Sequence, residues 1–161
     1  MNKRAWLRLG AKSVHDIASI GFGGALAACL VINLTANLAS PGEFQATRQV
    51  FSAIARYILI PSMAVVVVSG LIALAATQGY RDAGWAWLKA LLGMSVFVST
   101  LMVAGSAGEG GELATAASSS DMAALQRLLR AERITLWLLI ALIVVNVVLA
   151  VWRPKLMVKI R

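Results

Sequence analysis

The stretch KSVHDIASIGFGG, Lys12 to Gly24, stands where a basic N-terminus gives way to a long apolar run. It holds the only histidine of the chain, His15, beside Asp16. Ionisable groups at the edge of an apolar helix are costly, and they are kept where a helical bundle uses them. Ser19, Gly21, Gly23, Gly24, Ala25 and Ala28 follow directly. At helical spacing they form a smooth face on which another backbone can approach closely. Gly21, Gly24 and Ala28 are the expected helix-packing positions. The stretch therefore predicts a packed helical bundle and, at one edge of it, a polar site.

The rest of the chain has the same apolar bias. Of 161 residues, 60% are hydrophobic and only 14% charged, and the mean hydropathy is +0.80. Soluble domains carry roughly 45–50% apolar and about 25% charged residues. A single integral membrane domain is the expectation at this length. The net charge of +8 would suit nucleic acid, but its placement speaks against that partner. Lys3, Arg4, Arg8 and Lys12 precede the first apolar run, and Arg153, Lys155, Lys159 and Arg161 follow the last. Basic flanks of this kind mark the cytoplasmic side and contact anionic lipid. Both termini are thus expected in the cytoplasm, with the protein in a bacterial inner membrane and an even number of spans.

Cys29 is the only cysteine, which excludes an intrachain disulfide and any cysteine cluster for a metal. Leu26-Ala27-Ala28-Cys29 has the look of a lipoprotein processing site. The His15–Asp16 pair interrupts the would-be signal core, however, and Leu30, Val31 and Ile32 prolong the apolar run. An uncleaved first span is the preferred reading.

Four spans are predicted, at about 13–37, 54–78, 85–104 and 133–153. Ser40-Pro41-Gly42-Glu43 reads as a helix start, with Ser at the cap and Glu three residues on. The second helix then begins well outside the membrane, with Phe44, Val50, Phe51 and Ile54 set against Gln45, Arg48 and Gln49. Pro61 should kink it. The polar loop Gln78–Gly84 makes spans two and three antiparallel neighbours. Ala104 to Ser120 reads as flexible, and Ser118 with Asp121 offers a second capping box. Helix four likewise starts early, with Met122, Leu125 and Leu129 as its apolar stripe, and Pro154 ends it. The predicted fold is an all-α, integral membrane four-helix bundle with helices 2 and 4 extended on the periplasmic side. Helices of some 35 residues reach about 52 Å at 1.5 Å per residue.

Three groups of residues could carry chemistry. His15, Asp16 and Lys89 fall in the cytoplasmic half of the first and third spans. Neutral imidazole suits haem iron, and Lys89 could meet a propionate or another anion. An ion network of Lys12, Asp16 and Lys89, with His15 a bystander, fits the same spacing. Met63, Met94 and Met102 are further candidate ligands or, more commonly, packing filler. Arg56, Arg127, Arg130 and Arg133 with Glu109, Glu112 and Glu132 form an outer charged rim, which usually means solvated faces. The Walker loop, dinucleotide fingerprint and nucleophile elbow are all missing, and no catalytic residue is assigned.

With the spans placed, the chain resembles a group of small four-helix bacterial membrane proteins. The group includes HemJ-type protoporphyrinogen oxidases and the membrane domain of the copper-resistance protein CopD. The resemblance rests on Lys12-Ser-Val-His15 followed by Gly21-Phe22-Gly23-Gly24, and on Arg56-Tyr-Ile-Leu-Ile-Pro61-Ser-Met63 with Ser69-Gly70-Leu71. Gly84-Trp85-Ala-Trp87-Leu-Lys89 and the closing Trp152-Arg153-Pro154-Lys155 complete it. Phe22 departs from the group's usual tryptophan, and its additional histidines are absent. The resemblance implies a haem b cofactor bound through His15, with Lys89 in the same site. Two function classes follow: a haem-associated redox protein, or a non-catalytic accessory subunit packing through its helical faces. The expected partners are the lipid bilayer and either a second copy or a larger membrane complex.

Overall fold

The computed structural model describes residues 3–77, 79, 83–107, 111–119 and 121–152, and the side chains from residue 9 onward, that of residue 107 excepted. Pro154 and the C-terminal basic cluster lie outside the described residues, as do Glu109 and most of the loop between spans two and three. Among the described residues six α-helices follow in order: α1 (Lys3–Leu34), α2 (Pro41–Ile54), α3 (Ile60–Ala76), α4 (Gly84–Ala107), α5 (Glu112–Ser118) and α6 (Met122–Trp152). A π-helical turn, Ala55–Leu59, joins α2 to α3.

Inward stripes at alternating spacings of four and three organise the bundle, the repeat that keeps one face of a helix on its neighbours. In α1 the stripe is Phe22, Leu26, Cys29 and Asn33, all buried. In α6 it is Leu125, Leu129, Glu132, Leu136 and Leu139. The second helix contributes Phe44, Phe51, Ala55 and Leu59, with Arg48 filling the missing step. In α4, Val96, Thr100 and Val103 are buried, and Lys89 and Gly93 continue the same line toward the start of the helix. Around these stripes the spanning helices form a ring: α1 packs on α3 and α6, and α4 packs on α3 and α6. Among the described residues the backbones of the diagonal pairs, α1 with α4 and α3 with α6, do not approach each other closely.

Four helical stretches are long and apolar enough to cross a membrane: Leu9–Leu34, Pro41–Ala76, Gly84–Ser106 and Met122–Trp152. Only 11–33% of the residues in their most apolar windows are buried inside the chain. Most apolar surface therefore points outward, as at Ile20, Val68 and Met102. In water such a surface would aggregate, whereas in a bilayer it meets its own solvent. The chain is a multi-pass membrane protein built as an all-α bundle. An even number of spans brings both termini to one end.

Helices 2 and 4 of the span order are extended at the opposite end, as the sequence predicts. There α2, α5 and the start of α6 enclose a second small core of Phe44, Leu113, Ala116, Leu125 and Leu129. Four local expectations are corrected. The segment after Ala104 is not wholly irregular, because Leu113 and Ala116 bury against α6 and hold α5 as a helix. Ser40 is at the N-cap of α2 without a side-chain cap bond, and Glu43 instead accepts from Asn37 Nδ2 at 3.0 Å. Asp121, not Ser118, caps α6, its Oδ1 accepting the Ala124 N–H at 2.9 Å. The kink expected at Pro61 takes the form of a π-turn just before it. Ile60 N–H reaches back five residues to the Ala55 carbonyl, a wider turn that leaves room for a residue without an N–H.

Candidate functional site

At the end of the bundle that carries both termini, His15 lies half-buried at the seam of α1 and α3. Its Nδ1 is 2.8 Å from the Ser69 hydroxyl, a hydrogen bond between two spanning helices. The Ser69 oxygen is itself 2.6 Å from the Val65 carbonyl and 3.1 Å from that of Val66. One turn on from His15, the Ser19 hydroxyl donates to the His15 carbonyl at 2.8 Å. The ring lies against α3, where a Cβ built at Gly70 would stand 3.7 Å from the imidazole Cε1, an ordinary van der Waals contact. Lys89 and Asp16 are both within electrostatic range of the imidazole. Lys89 and His15 come from diagonal helices, α4 and α1, and fall within electrostatic range because both stand toward the terminus-bearing end of the bundle.

An open groove of about 320 Å³ runs beside this seam, lined by Val14, Ile17, Ala18, Pro61, Ser62 and Val65. Ser62 is its single hydroxyl. The groove therefore offers a largely apolar surface along the same pair of helices.

A second polar cluster lies toward the other end, and it is the better-built of the two. Glu132, 6% exposed, accepts two hydrogen bonds from Arg48, Nη1 to Oε2 at 2.8 Å and Nη2 to Oε1 at 2.9 Å. Asn33 Nδ2 donates to Glu132 Oε2 at 2.7 Å and to the Leu129 carbonyl at 3.1 Å. Arg133 completes the set, with Nε donating to Asn33 Oδ1 at 2.9 Å and Nη2 to the Asn33 carbonyl at 3.3 Å. The Arg48 guanidinium also stands 4.2 Å from the centroid of the Phe51 ring, a cation–π contact. The clasp thus ties α1, α2 and α6 together. Arg48, Asn33 and Glu132 all occupy stripe positions, so the register that buries leucine elsewhere aims these three at one another. Among the described residues no buried side-chain nitrogen or oxygen lacks a hydrogen-bond partner. The clasp therefore serves to hold three helices in register.

The remaining sequence candidates separate cleanly. Met63 is buried in the main core, whereas Met94 and Met102 are exposed to the bilayer. Arg56, Arg127 and Arg130 are exposed, as is Glu112, the behaviour of a solvated rim. Glu132 and Arg133 leave that rim for the clasp. The three expected packing residues also part company. Gly21 is close to α3, since a Cβ built there would lie 3.0 Å from Ser62 Oγ. Ala28 is half-buried. Gly24 is exposed, with nothing within 4 Å of its Cβ position, and takes no part in packing within the chain. The wheel explains this: at 100° per residue Gly24 points roughly 170° away from the centre of the Phe22–Leu26–Cys29–Asn33 stripe. Among the described residues no group of three or more His, Cys, Asp or Glu side chains could hold a metal ion.

Compared with family models, with curated proteins and with solved structures, the chain has no match in any of the three.

Proposed function

We propose that this multi-pass protein is a haem b-associated redox protein of a bacterial inner membrane, related to the HemJ/CopD-like group, with both termini in the cytoplasm. The observation that carries the reading is the setting of His15. It is the only histidine, half-buried between two spanning helices and fixed through Nδ1 by Ser69. A site assembled from protein ligands alone, such as a structural zinc site, needs four of them. Haem brings its own four nitrogens and requires only an axial donor, so a single imidazole fits it. The apolar groove along the α1–α3 seam suits the flat apolar face of a macrocycle, and Lys89 supplies positive charge for its anionic substituents. When bound, the group would supply one-electron chemistry. His15 would hold it, Lys89 would balance its carboxylates, and the flanking helices would exclude water. With one histidine per chain, the group would be held by His15 alone, by His15 with a non-histidine group, or between two chains.

The test is the visible spectrum of protein purified after expression with ample haem. A Soret band is expected in the wild type and should vanish in His15→Ala while membrane insertion is retained. Lys89→Ala should keep the band but release haem more readily. A colourless wild-type protein overturns the reading.

One observation favours a second reading, that of a non-catalytic accessory subunit. Gly24 is exposed and has open space at its Cβ position. Ala27 is exposed too, and Ile20 and Val31 are 76% and 57% exposed on the same helix. Small residues on a lipid-facing helix permit close approach by another helix, from a second copy or a larger complex.

A further inference from the structure

The hydrogen atoms at the α1–α3 seam can be assigned from heavy-atom distances. A serine hydroxyl has one proton to give. The Ser69 oxygen is 2.6 Å from the Val65 carbonyl oxygen, a separation at which two oxygens without a proton between them repel. The hydroxyl proton is therefore committed to Val65. Toward His15, 2.8 Å away, Ser69 can only accept.

We infer that Ser69 is a positioning residue that fixes His15 as the neutral Nδ1–H tautomer, so that Nε2 presents its lone pair at the membrane seam to an electron-pair acceptor. Which ring nitrogen carries the proton is decided by the hydrogen bond the other makes. Free imidazole side chains divide between the two tautomers, and a carbonyl-anchored serine removes that choice. Among the described residues the Nδ1 contact is the ring's only cross-helix side-chain hydrogen bond, so Nε2 is the atom left for a ligand. The inference deepens the haem reading and rests on it only for what Nε2 would meet. The tautomer itself is a property of this chain alone.

The experiment exploits the single histidine. Protein labelled with ¹⁵N,¹³C-histidine and prepared without added haem gives one imidazole spin system by NMR, in which Nδ1 is identified by its bond to Cγ. In the wild type the proton should reside on Nδ1, in excess over the Nε2–H form by several-fold to about tenfold, the range a net hydrogen bond supports. Ser69→Ala should abolish that excess, and Ser69→Thr, which keeps the hydroxyl, should restore it. Ser95→Ala, whose hydroxyl donates to the Leu91 carbonyl on its own helix, should leave it unchanged. An Nε2–H or doubly protonated ring in the wild type would overturn the inference, and so would an unaltered tautomer in Ser69→Ala. A failed Soret test leaves this result standing, and a failed tautomer test leaves the Soret test open, so the two ideas fail separately.

Discussion

Removing Glu132 is the most informative single perturbation of this bundle. Its carboxylate accepts from Arg48 twice and from Asn33 once, at 2.7–2.9 Å. Hydrogen bonds to charged groups contribute about 1.5–3 kcal/mol each. Simple addition overstates the loss, because Asn33 keeps the Leu129 carbonyl at 3.1 Å and the Arg48 side chain is 11% exposed. The dominant cost is the guanidinium left buried without its partner, about 3–5 kcal/mol for a broken buried pair. Glu132→Met and Arg48→Met should each destabilise by about that amount. The double variant should cost far less than the sum, since an apolar pair of similar volume replaces a buried ion pair at little net cost. The measurement is reversible unfolding in mixed detergent micelles, followed by far-UV circular dichroism across all four corners of the double-mutant cycle. If each single variant costs under about 1 kcal/mol, or the double equals the sum, the clasp is an incidental surface contact and the reasoning fails.

Two further outcomes are expected. Gly21→Leu should lower the unfolding midpoint, because its Cβ would begin 3.0 Å from Ser62 Oγ and overpacking typically costs ~1–3 kcal/mol. Gly24→Leu should leave the monomer's midpoint unchanged, since open space surrounds it. Loss of a dimer or larger complex in that variant would support the accessory-subunit reading. For topology, single cysteines at the exposed positions Gly42 and Glu112 should react with an impermeant reagent from outside the cell. Fully buried Cys29 should stay silent, and cytoplasmic labelling of either new cysteine would reverse the proposed orientation.

The spans, their number and the extra length of helices 2 and 4 are legible in the sequence because each rests on a pattern within one segment. Charge-free runs set the spans, and amphipathic lead-ins set the extensions. Helix α5 is not legible. Glu112–Ser118 is far below the length at which a helix stands alone in water, and only the burial of Leu113 and Ala116 against α6 stabilises it. The clasp is half legible. Asn33 is seven residues on from Leu26, and Glu132 lies between Leu129 and Leu136 in a four-three rhythm. Each therefore sits where an apolar residue is expected, which is itself the signal. Read separately, Asn33 marks a span exit, Arg48 a polar face and Glu132 a solvated rim. Their meeting depends on helix-to-helix register, which a single sequence does not contain. His15 and Lys89 are easier, because both stand near the terminus-bearing ends of their spans and antiparallel geometry brings them level.

Burial and charge do not by themselves tell a structural polar group from a functional one in this protein; hydrogen-bond accounting does. In a bilayer every polar atom needs a partner, since no water is at hand to supply one. At the extended end of the bundle, Asn33, Arg48, Glu132 and Arg133 bond to one another across three helices, so their polar groups act on the packing of the bundle. At the terminus-bearing end, Ser19 and Ser69 are matched by carbonyls on their own helices and His15 Nδ1 by Ser69, while Nε2 belongs to none of these pairings. A histidine placed only for packing would present both ring nitrogens to internal partners or be replaced by an apolar residue without cost. Here Nδ1 is bonded across two helices to Ser69, with a lysine in electrostatic range of the ring, which is why the proposed chemistry is placed at His15 and not at the stronger ion pair.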